Sequence, residues 1–432
     1  MNMPFGRLPP PPPPEALNKR ATGPAKVPRA KQSPPPIPVE ALRGKGSPSH
    51  QESQRFPLSL ENGKETFAST KHPDRNEDSL FVSEKRGLSV VADGMGGIPA
   101  GDYASNVVAS LFTNEGLDFL EKRASDPQSM RLIRRVIEAP VEQLLTQEAV
   151  EGALDLMIRG ANDVIERYTQ KLPSVQKKVT AFLREKGLIK PQHILPSGLI
   201  NLEALPPEHQ QVIKALYGSV SSTVAIAKTW IDTEGLPKLT VANIGDSRVY
   251  RYRDETLDML TQDHSTISAL LQNNAVDESG KRITDPDDAE ATVENAFILN
   301  LATQCPELRE LAHSLKDEPE KGRTSLRSIR HMMTMTAGGA TTQKDRHGIA
   351  FEPFITTHDI EDQDIVITMS DGVSDNLPKA RISDIIKHYR HQGSQAIAHA
   401  LTTEARHAAS IPGGKPDDIS VIVTICKQNL KN

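Results

Sequence analysis

The sequence predicts an α+β fold with packed sheets, and three observations carry that expectation. Short runs rich in Val, Ile, Thr and Tyr recur through the chain, helical patterns fall between them, and consecutive strand-like runs are joined by turns too short for crossover helices. The strand-like runs are Leu80 to Ser83, Leu88 to Ala92, Val220 to Thr229, Leu239 to Asn243, Arg248 to Arg253, Ile365 to Met369 and Ile419 to Ile425. Helical periodicity marks Asp102 to Phe112, Val150 to Tyr168, Glu208 to Leu216, Ile382 to Tyr389 and Ser394 to Ala408. Because the runs from Val220 to Arg253 are so closely spaced, they are expected to pair antiparallel rather than to build a doubly wound parallel sheet.

Composition sets the boundaries. Fifteen of the 32 prolines precede Leu58, including Pro9 to Pro14, and that stretch carries nine Lys/Arg against three Asp/Glu. It buries too little apolar surface to offset its chain entropy, so residues 1–60 read as a disordered, basic, proline-rich arm. The arm reads as a spacer, with docking to an SH3- or WW-like aromatic groove as the alternative. Residues 61–432 form the folded domain, with insertions at about 114–217 and 266–340 that are expected outside the sheets as lids or recognition surfaces.

The whole chain has a net charge of −5 despite the basic arm, so the body is acidic, which disfavours nucleic acid and suits cations. Two cysteines, Cys305 and Cys426, exclude a disulfide-rich scaffold and point to a thiol-reduced, cytoplasmic setting. Apolar runs such as Ile365 to Met369 fall far short of the roughly 18 residues that cross a bilayer. No charged-then-apolar leader opens the sequence, and no membrane association is expected.

The chemistry lies in acids at strand ends. Glu77-Asp78 precedes a strand, Asp93-Gly94 follows one, Gly245-Asp246 sits in a turn between two, Asp371-Gly372 follows another, and Asp417-Asp418 precedes the last. One such Asp-Gly is ordinarily a solvated turn. Five at strand ends would repel one another if they converged, unless cations neutralised them. Oxygen-only donors, without Cys or His at ligand spacing, select hard ions such as magnesium or manganese and favour a two-metal hydrolytic site.

The ordered blocks Asn76-Glu77-Asp78, Val91 to Gly97, Ser221 to Ala225, Ala242 to Arg248, Leu260 to Ser265, Ser370-Asp371-Gly372 and Asp417 to Ser420 resemble the metal-dependent protein phosphatases of type 2C, the PPM family. The resemblance spans roughly Phe67 to Cys426, and Met95 gives it the look of the bacterial branch. It implies a four-layer αββα sandwich of two antiparallel sheets flanked by helices. It also implies a serine/threonine phosphatase that hydrolyses phosphoserine or phosphothreonine in a phosphoprotein with a metal-activated water, needing two Mn2+ or Mg2+ ions and accepting a third. By that resemblance Asp93 and Asp371 are the central catalytic acids, and Asp93 bridges two metals. Glu77 and the Gly94 carbonyl hold one metal, Asp371 and Asp417 the other, and Asp246 with Asp371 the third.

The family's phosphate-gripping arginine falls at Pro73, so Lys71 and Arg75 are the candidates to replace it. His72 reads either as a proton donor or as a turn histidine before that proline. Asp418 stands where the family carries Asn, adding a charge beside a ligand. A non-catalytic phosphoprotein-binding module of the same fold is the alternative. Rival chemistries lack their parts: Arg309 lies four rather than six residues after Cys305, Asp362-Gln363-Asp364 precedes its strand, and no P-loop is present.

Overall fold

The structure, a computed structural model, describes residues 58–95, 100–167, 171–185, 187, 189–205, 210, 220–264, 336–337, 351–411 and 414–428. The arm before residue 58 lies outside them, as do the expected helix Glu208 to Leu216, apart from Gln210, and the acidic stretch Thr266 to Ala340, apart from Thr336 and Ala337.

The strands are β1 (Leu58–Phe67), β2 (Asp78–Ser83), β3 (Leu88–Asp93), β4 (Val224–Ile231), β5 (Pro237–Ile244), β6 (Arg248–Arg253), β7 (Thr256–Met259), β8 (Phe354–Asp359), β9 (Ile365–Met369) and β10 (Ile419–Gln428). Two five-stranded sheets result, one ordered β1-β10-β9-β6-β7 and the other β2-β3-β4-β5-β8. Every neighbouring pair is antiparallel. Leu58 to Leu60, expected in the arm, open β1 instead.

The longer helices are α1 (Gly101–Ser110), α2 (Asn114–Glu121), α3 (Pro127–Ile137), α4 (Gln147–Arg167) and α5 (Pro173–Glu185); a single turn α6 (Asp371–Ser374), α7 (Lys379–Tyr389) and α8 (Ser394–Ser410) follow. Local sequence explains several starts. Thr113 caps α2 by accepting from the Gly116 N–H at 3.1 Å, and Asp126 caps α3 through Gln128 and Ser129, with Pro127 in the first turn.

Three apolar cores stack between four layers. Val90 and Ile226 of the second sheet meet Val108, Val150, Leu154 and Ile158 of α1 and α4. Between the sheets lie Leu60, Ala225, Val241, Val249, Val366 and Cys426. On the far side, Ile367, Val421 and Val423 meet Ile386, Ile397 and Leu401 of α7 and α8. Successive residues such as Ala225 and Ile226, or Val366 and Ile367, serve opposite cores, so β4 and β9 are buried along their whole length. Each fully buried Leu or Ile contributes roughly 1.5–3 kcal/mol relative to leaving it in water.

Two expectations change. Within the stretch read as an insertion, α4 is itself the outer layer on the second sheet, because Val150, Leu154, Met157 and Ile158 give it a largely apolar inner face. And β5 does not pair with β6, although β4 and β5 do pair. The turn at Gly245 to Ser247 instead carries the chain from one sheet to the other, since β6 pairs β7 and β9. A short connection can join layers as readily as it closes a hairpin.

Candidate metal centre

The acids gather where the two sheets meet at one rim. In the second sheet Asp78 opens β2 and Asp93 closes β3, at paired positions. The Gly94 N–H donates to the Glu77 carbonyl at 2.9 Å, which holds Glu77 beside the end of β3. A Cβ on Gly94 would sit 2.2 Å from the Gly101 carbonyl oxygen, so only glycine lets the chain pass so close to the start of α1.

The first sheet brings the other acids. Met369, the last residue of β9, pairs with Arg248 of β6 and Val421 of β10, and the Ser370 N–H donates to the Ser420 carbonyl at 3.0 Å. That register sets Asp371 beside Asp417-Asp418. The fit is tight, as a Cβ on Gly372 would lie 1.8 Å from the Asp418 carbonyl oxygen. Ser370 ties the sheets together: its hydroxyl donates to Asp78 Oδ2 at 2.7 Å and accepts from the Ser420 N–H at 3.0 Å.

Asp246 rides on the crossing between sheets. His264 is buried and pins that crossing, accepting the Gly245 N–H at its Nδ1 (3.2 Å) and donating its own N–H to the Gly245 carbonyl (2.8 Å). Burial holds its imidazole below the usual histidine range, hence neutral. Next to it Arg248 grips Asp263 bidentately at 3.0 and 2.7 Å, with both side chains buried.

Electrostatically the rim is overloaded with negative charge. Burial, and then repulsion from Asp78, Asp371, Asp417 and Asp246, raises the Asp93 carboxyl well above the carboxylate range. Asp246 is raised by burial and by Asp371 and Asp263. Asp371 is raised by burial and by Asp417 and Asp375, against the pull of Lys415. Asp78 rises through burial, although Ser370 opposes the change. Burial pushes Glu77 up to about 7, with Arg75 and His72 pulling the other way. Asp78 Oδ1 and Asp371 Oδ1 are buried without a hydrogen-bond partner. Orphaned buried carboxylate oxygens of this kind fit a hard cation, so the donor set suits magnesium or manganese.

The acids named from the sequence thus come to one rim, divided into two groups. Glu77 lies with Arg75 (3.1 Å), His72 (3.8 Å) and Asp418. Of the described residues, His72, Glu77 and Asp418 form the one set whose ligand atoms all lie within 4.8 Å of one another. Asp371 and Asp417 lie on the other side, with Lys415 between them: its Nζ contacts Asp371 Oδ2, Asp375 Oδ2 at 2.8 Å and Asp417 Oδ2 at 2.9 Å. Among the described residues, Asp93, Asp246, Asp371 and Asp417 do not close into a cage of that size. Like charges spread, and the ammonium holds two of them.

The candidate phosphate cations part company. Arg75 is half-buried on Glu77, whereas Lys71 is exposed. His72 Nδ1 lies 2.9 Å from the Arg75 carbonyl, so it carries the proton there and the ring braces its own turn.

Spacing along the chain does not show two further participants, Asp375 and Lys415, or the part that Asp418 plays. Asp418 is a clamp whose two oxygens accept the Ser69 N–H at 2.5 Å and the Glu77 N–H at 2.7 Å, tying the loop before β2 to the start of β10. Asp375 follows Asp371 by one helical turn. Lys415 stands two residues before Asp417, and nothing in that spacing shows where its amine goes.

No protein-family model matches the chain, and no curated protein does. Solved structures do resemble its architecture of two antiparallel sheets between helical layers. The catalytic domain of the serine/threonine protein phosphatase PstP, solved with two manganese ions, is 18% identical, the match covering 86% of this chain and 100% of that one at a TM-score of 0.45. A bacterial serine phosphatase is 18% identical over 86% of this chain and 99% of that one, with a TM-score of 0.48. The PPM Ser-Thr phosphatase MsPP from Mycobacterium smegmatis, in complex with cacodylate, is 17% identical over 85% and 98%, with a TM-score of 0.42.

Proposed function

We propose that the protein is a metal-dependent phosphatase that hydrolyses phosphoserine or phosphothreonine in protein substrates. One observation carries this reading: Asp93, Asp246 and Asp371 share a buried rim, with Asp417 beside them, where burial and neighbouring carboxylates raise the first three above the carboxylate range and Lys415 is the cation that bears on the rim most directly. So dense an acidic rim suits divalent ions.

Mn2+ or Mg2+ would be held by Asp93 between two positions, by Glu77 and the Gly94 carbonyl at one, and by Asp371 and Asp417 at the other; Asp246 with Asp371 would serve a weaker third. When bound, such a pair acidifies water and neutralises phosphoryl oxygens. The protein's own contribution is placement. Ser370 orients Asp78 beside Asp93, Asp418 fixes the backbone of Glu77, and His264 fixes the turn that bears Asp246.

Arg75 is the cation best placed to meet the substrate phosphate, because its guanidinium already reaches the rim at Glu77 and has the planar fork that suits phosphate. Lys71 is exposed on the same loop and serves the approach of the anion rather than its grip.

Manganese titration of hydrolysis, with an aryl phosphate and with a phosphothreonine peptide, tests the proposal. Release of phosphate that requires the ion and nearly disappears in Asp93→Asn supports it. Full activity in chelator overturns it, and phosphopeptide capture without turnover at saturating manganese replaces it with the binding-module reading.

A further inference from the structure

Lys415 bears on the metal site in a way that the acids alone do not reveal. Its ammonium contacts Asp371 Oδ2 and also reaches Asp375 Oδ2 at 2.8 Å and Asp417 Oδ2 at 2.9 Å. Two of those carboxylates, Asp371 and Asp417, are the pair that the proposed function assigns to one metal position. The amine uses one oxygen of each, which sets a positive charge between the two carboxylates that would share an ion.

The backbone around the lysine is fixed. Asn376 spans the gap between α6 and this segment, accepting the Lys415 N–H at its Oδ1 (2.9 Å) and donating through Nδ2 to the carbonyls of Lys415 (2.9 Å) and Gly372 (2.8 Å). Asp375, in turn, donates its N–H to the Asp371 carbonyl at 2.7 Å. The contact is therefore built from both sides and does not depend on a freely waving side chain. Pro416 adds a fixed φ between the lysine and Asp417.

We propose that Lys415 is a tethered cation that occupies the metal position of Asp371 and Asp417, so that an ion entering there must displace the ammonium. This rests on the proposed metal-dependent function. Binding to a state that is only fractionally populated is weakened by that fraction. One metal position, served by Glu77, Asp93 and the Gly94 carbonyl, thus fills at lower manganese than the other, and the lysine sets the gap between them. Asp375 is the residue that receives the displaced amine, because it contacts Nζ without being one of the assigned ligands.

Manganese binding to the full chain, read as loss of the free-ion paramagnetic resonance signal, tests this without any substrate. The wild-type protein is expected to bind two ions of unequal affinity, and Lys415→Met to bind the second about tenfold more tightly or better, a coupling of ordinary size. Lys415→Arg keeps the charge and is expected to keep the gap. A second measurement uses the unaltered protein: Lys415 should resist an amine-acylating reagent in chelator and become labelled as manganese saturates, as read by peptide mass spectrometry. Equal second-ion affinities in wild type and Lys415→Met, or labelling that ignores manganese, overturn the role of the lysine and leave the proposed function standing. Failure of wild type and variant alike to bind manganese overturns both.

Discussion

Asp78 and Asp93 occupy directly opposed positions on the β2–β3 ladder, two acids where cross-strand pairing places side chains closest. Like charges so placed destabilise a sheet by roughly 0.2–1 kcal/mol, more when the groups are desolvated. Asp93→Asn is therefore expected to act in two directions. Manganese-dependent hydrolysis should nearly vanish, while urea denaturation in chelator should show a fold more stable by about 1 kcal/mol. A variant less stable than wild type in chelator would show that the opposed acids are not under strain.

The Glu77 carboxyl gives a pH dependence with a definite sign. Its folded value is raised to about 7 from an ordinary 4.5, so the fold prefers the protonated form. Stability from this group is fully present below about 4.5 and is lost as the pH rises through about 7. In chelator, the midpoint of thermal unfolding should fall across that window, and Glu77→Gln should flatten the fall. Saturating manganese should flatten it as well.

Arg75 is expected to grip phosphate. Charge-assisted hydrogen bonds contribute about 1.5–3 kcal/mol, so Arg75→Ala should raise KM for a phosphopeptide roughly tenfold to a hundredfold. Lys71→Ala should change KM little at high salt and more at low salt, as suits a screened, exposed charge. Steady-state kinetics at two ionic strengths separate the two residues.

Gly372→Ala tests the close approach of α6 to β10. The new methyl would meet the Asp418 carbonyl oxygen at 1.8 Å, and the obstacle is backbone, which cannot rotate away. The Asp371 turn should be pushed off the strand, with loss of manganese binding and a destabilisation on the order of 1–3 kcal/mol. Calorimetric titration together with a thermal melt reads both effects.

Much of this architecture is legible in the sequence. Central strands such as β3, β4 and β9 are covered on both faces, so each reads as a mostly apolar run, interrupted only by residues such as Ser89, Lys228-Thr229 and Thr368. The strands the sequence hides are β1, β7 and β8, and all three are sheet edges. An edge strand is half-exposed and tolerates the Glu, Asn, Gly and Lys of Leu58–Phe67, which blur its signal. The acids were visible because each flanks a strand or a glycine. Lys415, Asp375 and the clamp of Asp418 were not, since their partners are set by packing between α6 and β10 rather than by spacing along the chain. The Gly245 to Ser247 turn misled for a related reason: its length does not say which layer it enters.

The order of the first sheet has a bearing on how the molecule comes into being. Among the described residues its earliest strand, β1, lies beside its latest, β10, and β10 separates β1 from β9. During synthesis the strands that precede β10 emerge with a slot between them, and such distant pairings are slow to form. Asp417 and Asp418 arrive with the piece that fills the slot. The acidic rim is therefore complete only once that piece has taken its place between β1 and β9.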